Sequence, residues 1–301
     1  MFKKITVVLS ALLIVGAIWY LFIMPQDYIV RFQTKALPGT VNQIAKFWAD
    51  QQNNAHFQEQ KSLSDFTTTL IVNDTTLTLN WKITPMNDSI SRVKVAISDN
   101  EHSLKNRILL PFTTTYFEKR SKRTVKDVYT LLKSHLSNFK TTIVGEEVIP
   151  EKYCICVPLK STQLGKVKGM MENYSRLSNF VAKNSIKPDG RPLIEVQDWN
   201  TKNDSITYNF CFPIIKTDSL PQDHDFVYKK VQKRKALKAI YNGNYLTSDR
   251  AWYALMHYAE KKGLQINEKP FEVFHTNPNM GGNELEWKAE IFMPIQDQKE
   301  E

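Results

Sequence analysis

ENYSRLSNFVAKNSIKPDGRPLIEV (residues 172–196) and DRAWYALMHYAEKKGLQINEKPFEV (residues 249–273) carry one pattern written twice. Tyr174 aligns with Trp252, Leu177 with Leu255, Phe180 with Tyr258 and Pro192 with Pro270, each pair 78 residues apart. Further on, ITYNFCFPI (206–214) aligns with WKAEIFMPI (287–295) at an offset of 81. The extra three residues fall between strands, where an insertion costs least. Each copy reads as strand, helix, strand, strand. The first runs through Tyr153–Leu159, Lys166–Asn184, Pro192–Val196 and Ile206–Ile214, and the second begins near Arg234–Tyr241. The repeats span about 152–215 and 230–296.

Alternation then sorts the faces of the last strands. Ile206, Tyr208, Phe210, Phe212 and Ile214 point one way, as do Trp287, Ala289, Ile291, Met293 and Ile295. These all-apolar sets predict the face packed on the helices. The other face carries Thr207, Asn209 and Cys211 in one copy and Glu286, Lys288, Glu290 and Phe292 in the other. Two such faces closing on each other would line a groove, with Glu290 opposite its counterpart Asn209. A carboxylate in an apolar groove is costly to desolvate alone, so Glu290 calls for a cationic ligand or a hydrogen-bond donor. A surface Glu paired with Lys288 is the alternative.

The chain is long enough, at 301 residues, for about two domains and needs no metal or disulfide staple. With 42% apolar and 24% charged residues it is neither disordered nor collagenous. Its 6 His and 3 Cys show no zinc or haem spacing, so neither a metal nor a cofactor is expected. The N-terminus has its own signal. After Met1-Phe2-Lys3-Lys4, the segment Ile5–Met24 runs 20 residues without a charge, and as a helix it would span ~30 Å, the thickness of a bilayer core. Trp19 and Tyr20 stand near its far end and Pro25 stops it. The bulky Tyr20-Leu21-Phe22-Ile23-Met24 replaces the small residues of a cleavage site, so a retained single-pass anchor is expected. Lys3 and Lys4 favour a cytoplasmic N-terminus with the rest outside, although Arg31 and Lys35 weaken that vote.

Between anchor and repeats, the spacing predicts strands at Tyr28–Ala36, Phe66–Val72, Leu77–Ile83, Val93–Ile97 and Leu104–Leu110. A helix follows Leu37-Pro38-Gly39-Thr40, and a longer one runs from about Lys119 to Lys140 with Val125, Val128, Leu131, Leu132, His135 and Phe139 as its apolar stripe. The opening YIVRFQTKALPGTVNQIAKFWAD and the pair TLTLNWKITP and ISRVKVAIS resemble the START/polyketide-cyclase-like (SRPBCC) helix-grip family. That resemblance implies a cavity between sheet and helix. The C-terminal half is similar to the GyrI-like effector-binding domain, a duplicated module found alone or attached to AraC- and MerR-type regulators. The matching features are Gly243-x-Tyr245, Trp252 and Leu255, Pro270-Phe271, Asn277-Pro278, and Glu290-Ile291 with Pro294-Ile295. The resemblance implies a groove for amphipathic, often cationic or aromatic, molecules, with an acidic anchor at Glu290. Phe274 departs from the Tyr usual in that family.

The expected fold class is α+β: a transmembrane anchor (1–27), a helix-grip domain (28–148) and a duplicated β-α-β-β effector-binding domain (149–298). The candidate ligand-binding residues are Glu290, Asn209, Phe292, Phe274, Trp252 and Tyr174, with Trp252 and Tyr174 equally suited to core. No catalytic residue is assigned. The function expected is capture of a hydrophobic or cationic small molecule by a sensor, scavenger or carrier. Two alternatives stand beside it: hydrolysis of small electrophiles with Glu290 as general base, and a regulatory partner protein with vestigial pockets. Cys154, Cys156 and Cys211 share a sheet face; small buried thiols are the default and an inter-strand disulfide is open. The run Lys229-Lys230-x-x-Lys233-Arg234-Lys235-x-x-Lys238 resembles a patch for nucleic acid or anionic lipid, but reads first as a solvated strand edge. Without a DNA-reading element beside it, no direct nucleic-acid contact is expected.

Overall fold

The N-terminal apolar run folds as α1 (Phe2–Ile18), continued by a π-helical turn at Trp19–Ile23. The Met24 N–H donates to the Trp19 carbonyl at 2.9 Å, and Pro25 ends the run. Lys4–Ile23 is the one helix among the described residues long and apolar enough to cross a membrane, and none of it is buried. The computed structural model describes residues 2–296. Met1 and residues 297–298, placed inside the first and last segments by the sequence reading, lie outside the described residues.

The chain divides into two compact units, Met1–Ser134 and His135–Glu301. In the first, β1 (Tyr28–Thr34), α2 (Pro38–Asp50), β2 (Ala55–Ser62), β3 (Asp65–Val72), β4 (Thr75–Pro85), β5 (Ser91–Asp99), α3 (Ser103–Leu109) and α4 (Tyr116–Leu136) follow in order. The strands form one antiparallel sheet, β1-β5-β4-β3-β2. Alternation works as expected along β4 and β5, where Leu77, Leu79, Trp81, Ile83, Val93, Val95 and Ile97 are all buried. The Trp81 indole, stacked on Phe66, donates to the Thr68 hydroxyl at 2.9 Å, so its polar atom is satisfied within the core. α4 buries Val125, Val128 and Leu132, and its Phe117 and Tyr129 meet Tyr28 and Phe32 of β1 edge-on.

Three elements differ from the expectation. Leu104–Leu110 is helix rather than strand, because Leu104 and Ile108 share a face at i, i+4 while Asn106 and Arg107 turn inward. The edge strand β2, AHFQEQKS, is too polar to read as half-buried. The long helix stops at Leu136, and Phe139–Ile149 is a strand of the second unit's sheet.

That second unit contains β6 (Phe139–Ile149), β7 (Lys152–Thr162), α5 (Lys166–Lys183), β8 (Leu193–Asn200), β9 (Ser205–Pro213), β10 (Val227–Val231), β11 (Arg234–Gly243), α6 (Arg250–Lys262), β12 (Phe271–Phe274) and β13 (Lys288–Pro294). Eight antiparallel strands run in the order β10-β7-β9-β8-β12-β13-β11-β6. Gly243 ends β11 at φ 149, a conformation unfavourable for residues with a Cβ. A Cβ there would also lie 2.8 Å from that of Phe139.

Register fixes what each face carries. One row crosses the sheet as Val157, Phe210, Ile194, Glu272, Ile291 and Ala239, on the side where α5 and α6 pack. The opposite face carries Cys156, Cys211, Leu193, Val273 and Glu290 in one row, and Pro158, Asn209, Glu195, Phe271, Phe292 and Lys238 in the next. Part of this second face is a core of its own, where Ile149, Cys154, Leu193, Val231, Ala236, Phe271 and Phe292 pack together. Within it Cys156 and Cys211, directly opposite on β7 and β9, form a disulfide. The default reading of three thiols is therefore corrected: cross-strand opposition brings two of them together and leaves Cys154 free and buried. Burial pushes the Cys154 thiol up to about 12.

Candidate functional site

α5 opens with Val167, Met170, Met171 and Tyr174 at i, i+3, i+4 and i+7, a single helical stripe. This stripe forms one wall of a cavity of about 120 Å³. Phe210 from β9, Pro192 before β8, Tyr245, and Phe274 to Pro278 at the end of β12 form the rest. The Tyr245 hydroxyl donates to the Lys288 carbonyl at 2.8 Å and accepts the Thr276 N–H at 3.1 Å, which pins its ring 4.8 Å from that of Phe274. Burial raises the Tyr245 pKa, so the phenol stays neutral. Arg191 reaches across the rim and donates to the His275 carbonyl at 3.2 Å.

Lys166, the residue before this stripe, belongs to a fully buried polar cluster. Lys166 and Glu272 are both inaccessible, with Nζ 3.2 Å from Oε1. Glu272 also accepts from the Trp252 indole at 2.6 Å and the Ser248 hydroxyl at 2.9 Å. Lys166 donates to Ser248 at 2.6 Å and sits 4.8 Å over the Trp252 ring. The charge is matched internally, so each group meets the condition for burying an ion.

Of the residues predicted from the sequence, Tyr174 and Phe274 line the cavity. Trp252 is fully buried and not part of the lining, hydrogen-bonded to Glu272. Glu290, Asn209 and Phe292 lie on the opposite face of the sheet. Asn209 is buried beside Glu195, and Phe292 packs edge-on against Phe271. Glu290 is held by Lys288 at 3.1 Å and Lys238 at 3.2 Å. Burial opposes its ionisation, yet these lysines outweigh burial and keep its carboxyl below the usual carboxylate range. A general base working near neutrality needs the reverse shift. Burial likewise lowers His275, against the pull of Glu290 at 3.5 Å, so the imidazole is neutral at pH 7.

Sequence reasoning passed over Lys166, Ser248, Glu272, Met170 and His275, and took Tyr245 only as part of a turn motif. One signal for Glu272 was available, since alternation from Ile291 and Ile194 puts the middle of Phe271–Phe274 on the helix-packed side. The basic run proves partly structural: Lys229 and Arg234 hold the buried Glu195 at 2.5 and 3.0 Å. Among the described residues no group of three His, Cys, Asp or Glu is placed to hold a metal ion.

The second half of the chain has a match among known families. Residues 160–296 match a GyrI-like small molecule binding domain. The cavity and the Lys166–Glu272 cluster both lie inside the matched segment. No curated protein matches the sequence significantly. Among solved structures, the EcmrR C-terminal domain is similar at 16% identity over 53% of this chain and 99% of its own, with a TM-score of 0.43. SAV2435 bound to tetraphenylphosphonium is similar at 10% identity over 52% and 93%, with a TM-score of 0.35. A hydrolase from Listeria innocua shows 13% identity over 50% and 92%, also with a TM-score of 0.35.

The first unit has a cavity of its own, about 440 Å³, at the end of its sheet. Leu77, Asp99, His102, Asn106, Phe117 and Arg120 are among its lining.

Proposed function

We propose that this chain is a membrane-anchored small-molecule-binding protein whose ligand enters the cavity between α5 and the end of β12. The observation that carries this is the lining: a helical stripe of two methionines and Tyr174 faces Phe210, Tyr245 and Phe274. Polarizable, aromatic walls around a small void are how proteins hold apolar ligands. The volume of about 120 Å³ is close to the ~150 Å³ void that admits benzene, so a ring-sized group fits without rearrangement. A larger ligand would need Met170 and Met171 to swing out. Of the two ligand classes expected, the hydrophobic one is favoured. Arg191 is the charged side chain of the described lining, His275 being neutral at pH 7, while the carboxylates of Glu272 and Glu290 are already paired with lysines.

We read β7-α5-β8-β9 and β11-α6-β12-β13 as two copies of one unit. The spatial orders β7-β9-β8 and β12-β13-β11, together with the sequence correspondences, support that reading. The helix-grip reading of the first unit gives its larger cavity the same kind of role, with Asp99 and Arg120 at the lining. For location, Lys4–Ile23 would span the bilayer with the N-terminus in the cytoplasm and both units outside. A disulfide at Cys156–Cys211 suits an oxidising compartment.

The test is ligand-induced stabilisation of the full chain in detergent micelles. Phenol, indole and tetraphenylphosphonium would be compared on the native protein and on Met170→Trp, which fills the cavity. Neutral ring compounds are expected to raise the unfolding temperature, by the equivalent of ~2.7 kcal/mol at a hundredfold excess over Kd. The variant should lose that gain. Equal stabilisation of both proteins, or of neither, would place the ligand elsewhere.

A further inference from the structure

The apolar N-terminal helix does not simply trail from the first unit; its last turn is bolted to α3. The Arg107 guanidinium donates to Asp27 at 2.6 Å and to the carbonyls of Tyr20 and Leu21 at 3.3 and 3.1 Å. The Tyr20 hydroxyl returns a bond to the Arg107 carbonyl at 3.1 Å. Asp27 is itself fixed, accepting the Asp99 N–H at 2.8 Å and the Ser103 hydroxyl at 2.6 Å. With Arg107 at 8% exposure and Asp27 at 0%, this is a desolvated clamp rather than a surface pair.

The clamp determines the level at which α3 sits. Tyr20 and Leu21 precede Met24, the end of the apolar run, by three or four residues, or about 4–6 Å of helix. If Lys4–Ile23 spans the bilayer, that depth is the headgroup boundary. The outward side of α3 is apolar where a water-facing helix would be polar: Leu104 is 43% and Ile108 49% exposed, one turn apart. The stripe continues past the helix to Phe112, which is 85% exposed, and to Tyr116. Lys105 lies on the same side and is long enough to extend its ammonium to the phosphates. Aromatic and aliphatic side chains with an interspersed lysine, on a short segment at that depth, fit the interfacial layer of a bilayer.

We propose that Leu104, Ile108 and Phe112 form a membrane-contacting foot, buried in the headgroup layer beside the anchor, which fixes the first unit against the lipid surface. This rests on the anchor reading given above and goes beyond it, because an anchor alone would let the unit swing on a tether.

Nitroxide accessibility on the full chain in phosphatidylcholine–phosphatidylglycerol vesicles tests it. Labels would be placed at Ile108→Cys, Phe112→Cys, Leu12→Cys and Met86→Cys. Cys154 is buried and its thiol resists ionisation, so it takes no label. Met86 follows β4 at the end of the sheet remote from Asp27, roughly 25 Å along β5. The oxygen-to-nickel collision ratios at Ile108 and Phe112 should fall between the lipid value at Leu12 and the aqueous value at Met86. Ratios equal to that of Met86, with Leu12 in lipid, would overturn the foot and leave the anchor standing. An aqueous ratio at Leu12 would overturn both. Spin–spin broadening at Phe112 would mean that a second copy covers the patch, and would overturn the proposal in favour of a dimer.

Discussion

Replacing Lys166 by methionine isolates the contribution of the buried Lys166–Glu272 cluster. Methionine keeps most of the lysine stem's volume and leaves little void, so the change removes a charge more than it removes packing. At 3.2 Å, and with an effective dielectric near 20, the ammonium and the Glu272 carboxylate attract by about 5 kcal/mol. Desolvating both ions offsets much of that in the native protein. In the variant the carboxylate stays inaccessible with only the Trp252 and Ser248 bonds. Removing one partner of such a pair costs about 3–5 kcal/mol, a large part of a typical ~5–15 kcal/mol total. Denaturant unfolding of the full chain in detergent, read by hydrogen exchange at amides of the second unit, would locate the loss in α5, α6 and β12. The double variant Lys166→Met with Glu272→Gln keeps an acceptor for the Trp252 indole and removes the orphaned charge. It should be more stable than Lys166→Met alone, giving a coupling of a few kcal/mol in the cycle. A single-variant loss under about 1 kcal/mol, or strict additivity in the cycle, would refute the view of Glu272 as internally neutralised.

Three further perturbations have defined outcomes. Removing the disulfide by paired Cys156→Ala and Cys211→Ala opens a 55-residue closure, which the chain-entropy relation values at ~4 kcal/mol; unfolding with and without reductant should show that difference in the native protein and none in the variant. Burial, and then the adjacent Arg250, lowers His135 to about 3. The unfolded chain therefore takes up a proton below about pH 6.5 that the folded chain refuses, so this stability is complete above that pH and is lost towards pH 3, by at most ~1.4 kcal/mol per pH unit. His135→Gln, which can still accept from Arg250 Nε, should flatten the fall in unfolding temperature between about pH 7 and pH 5; an unchanged slope would exclude His135 as its source. Gly169→Ala puts a Cβ against the Tyr208 hydroxyl, which now donates to the Lys166 carbonyl at 2.9 Å. A loss of about 1–3 kcal/mol is expected, and a neutral result would mean that the start of α5 yields easily.

Period-two and period-3.6 patterns carried most of the fold, since β4 and β5 bury one face and α4 and α5 one stripe, while β9 and β13 keep the alternation on their helix-packed face. Where burial does not alternate, the pattern is silent. β2 is a polar edge, and β6 joins β11 across nearly a hundred residues by backbone bonds that leave most of its side chains outside. The candidate site failed to read through for a different reason. A lone acidic residue on a half-polar strand, Glu290, looks chemical because it stands among charges, whereas Glu272 stands in the row Val157, Phe210, Ile194, Ile291 and Ala239 and passes for a packing position. Physical cost argues the other way. Glu290 keeps partial access to water and is held by Lys288, whose side chain is exposed, and the half-buried Lys238. Glu272 has no such access, and the chain supplies Lys166, Ser248 and Trp252 from two other segments as its partners. That cluster meets the cavity through chain neighbours, since Lys166 precedes Val167 and Glu272 stands two residues before Phe274, both of which line it. The methionines of α5 are the unbranched side chains of that lining, so under the proposed function adaptation to different apolar ligands falls to them.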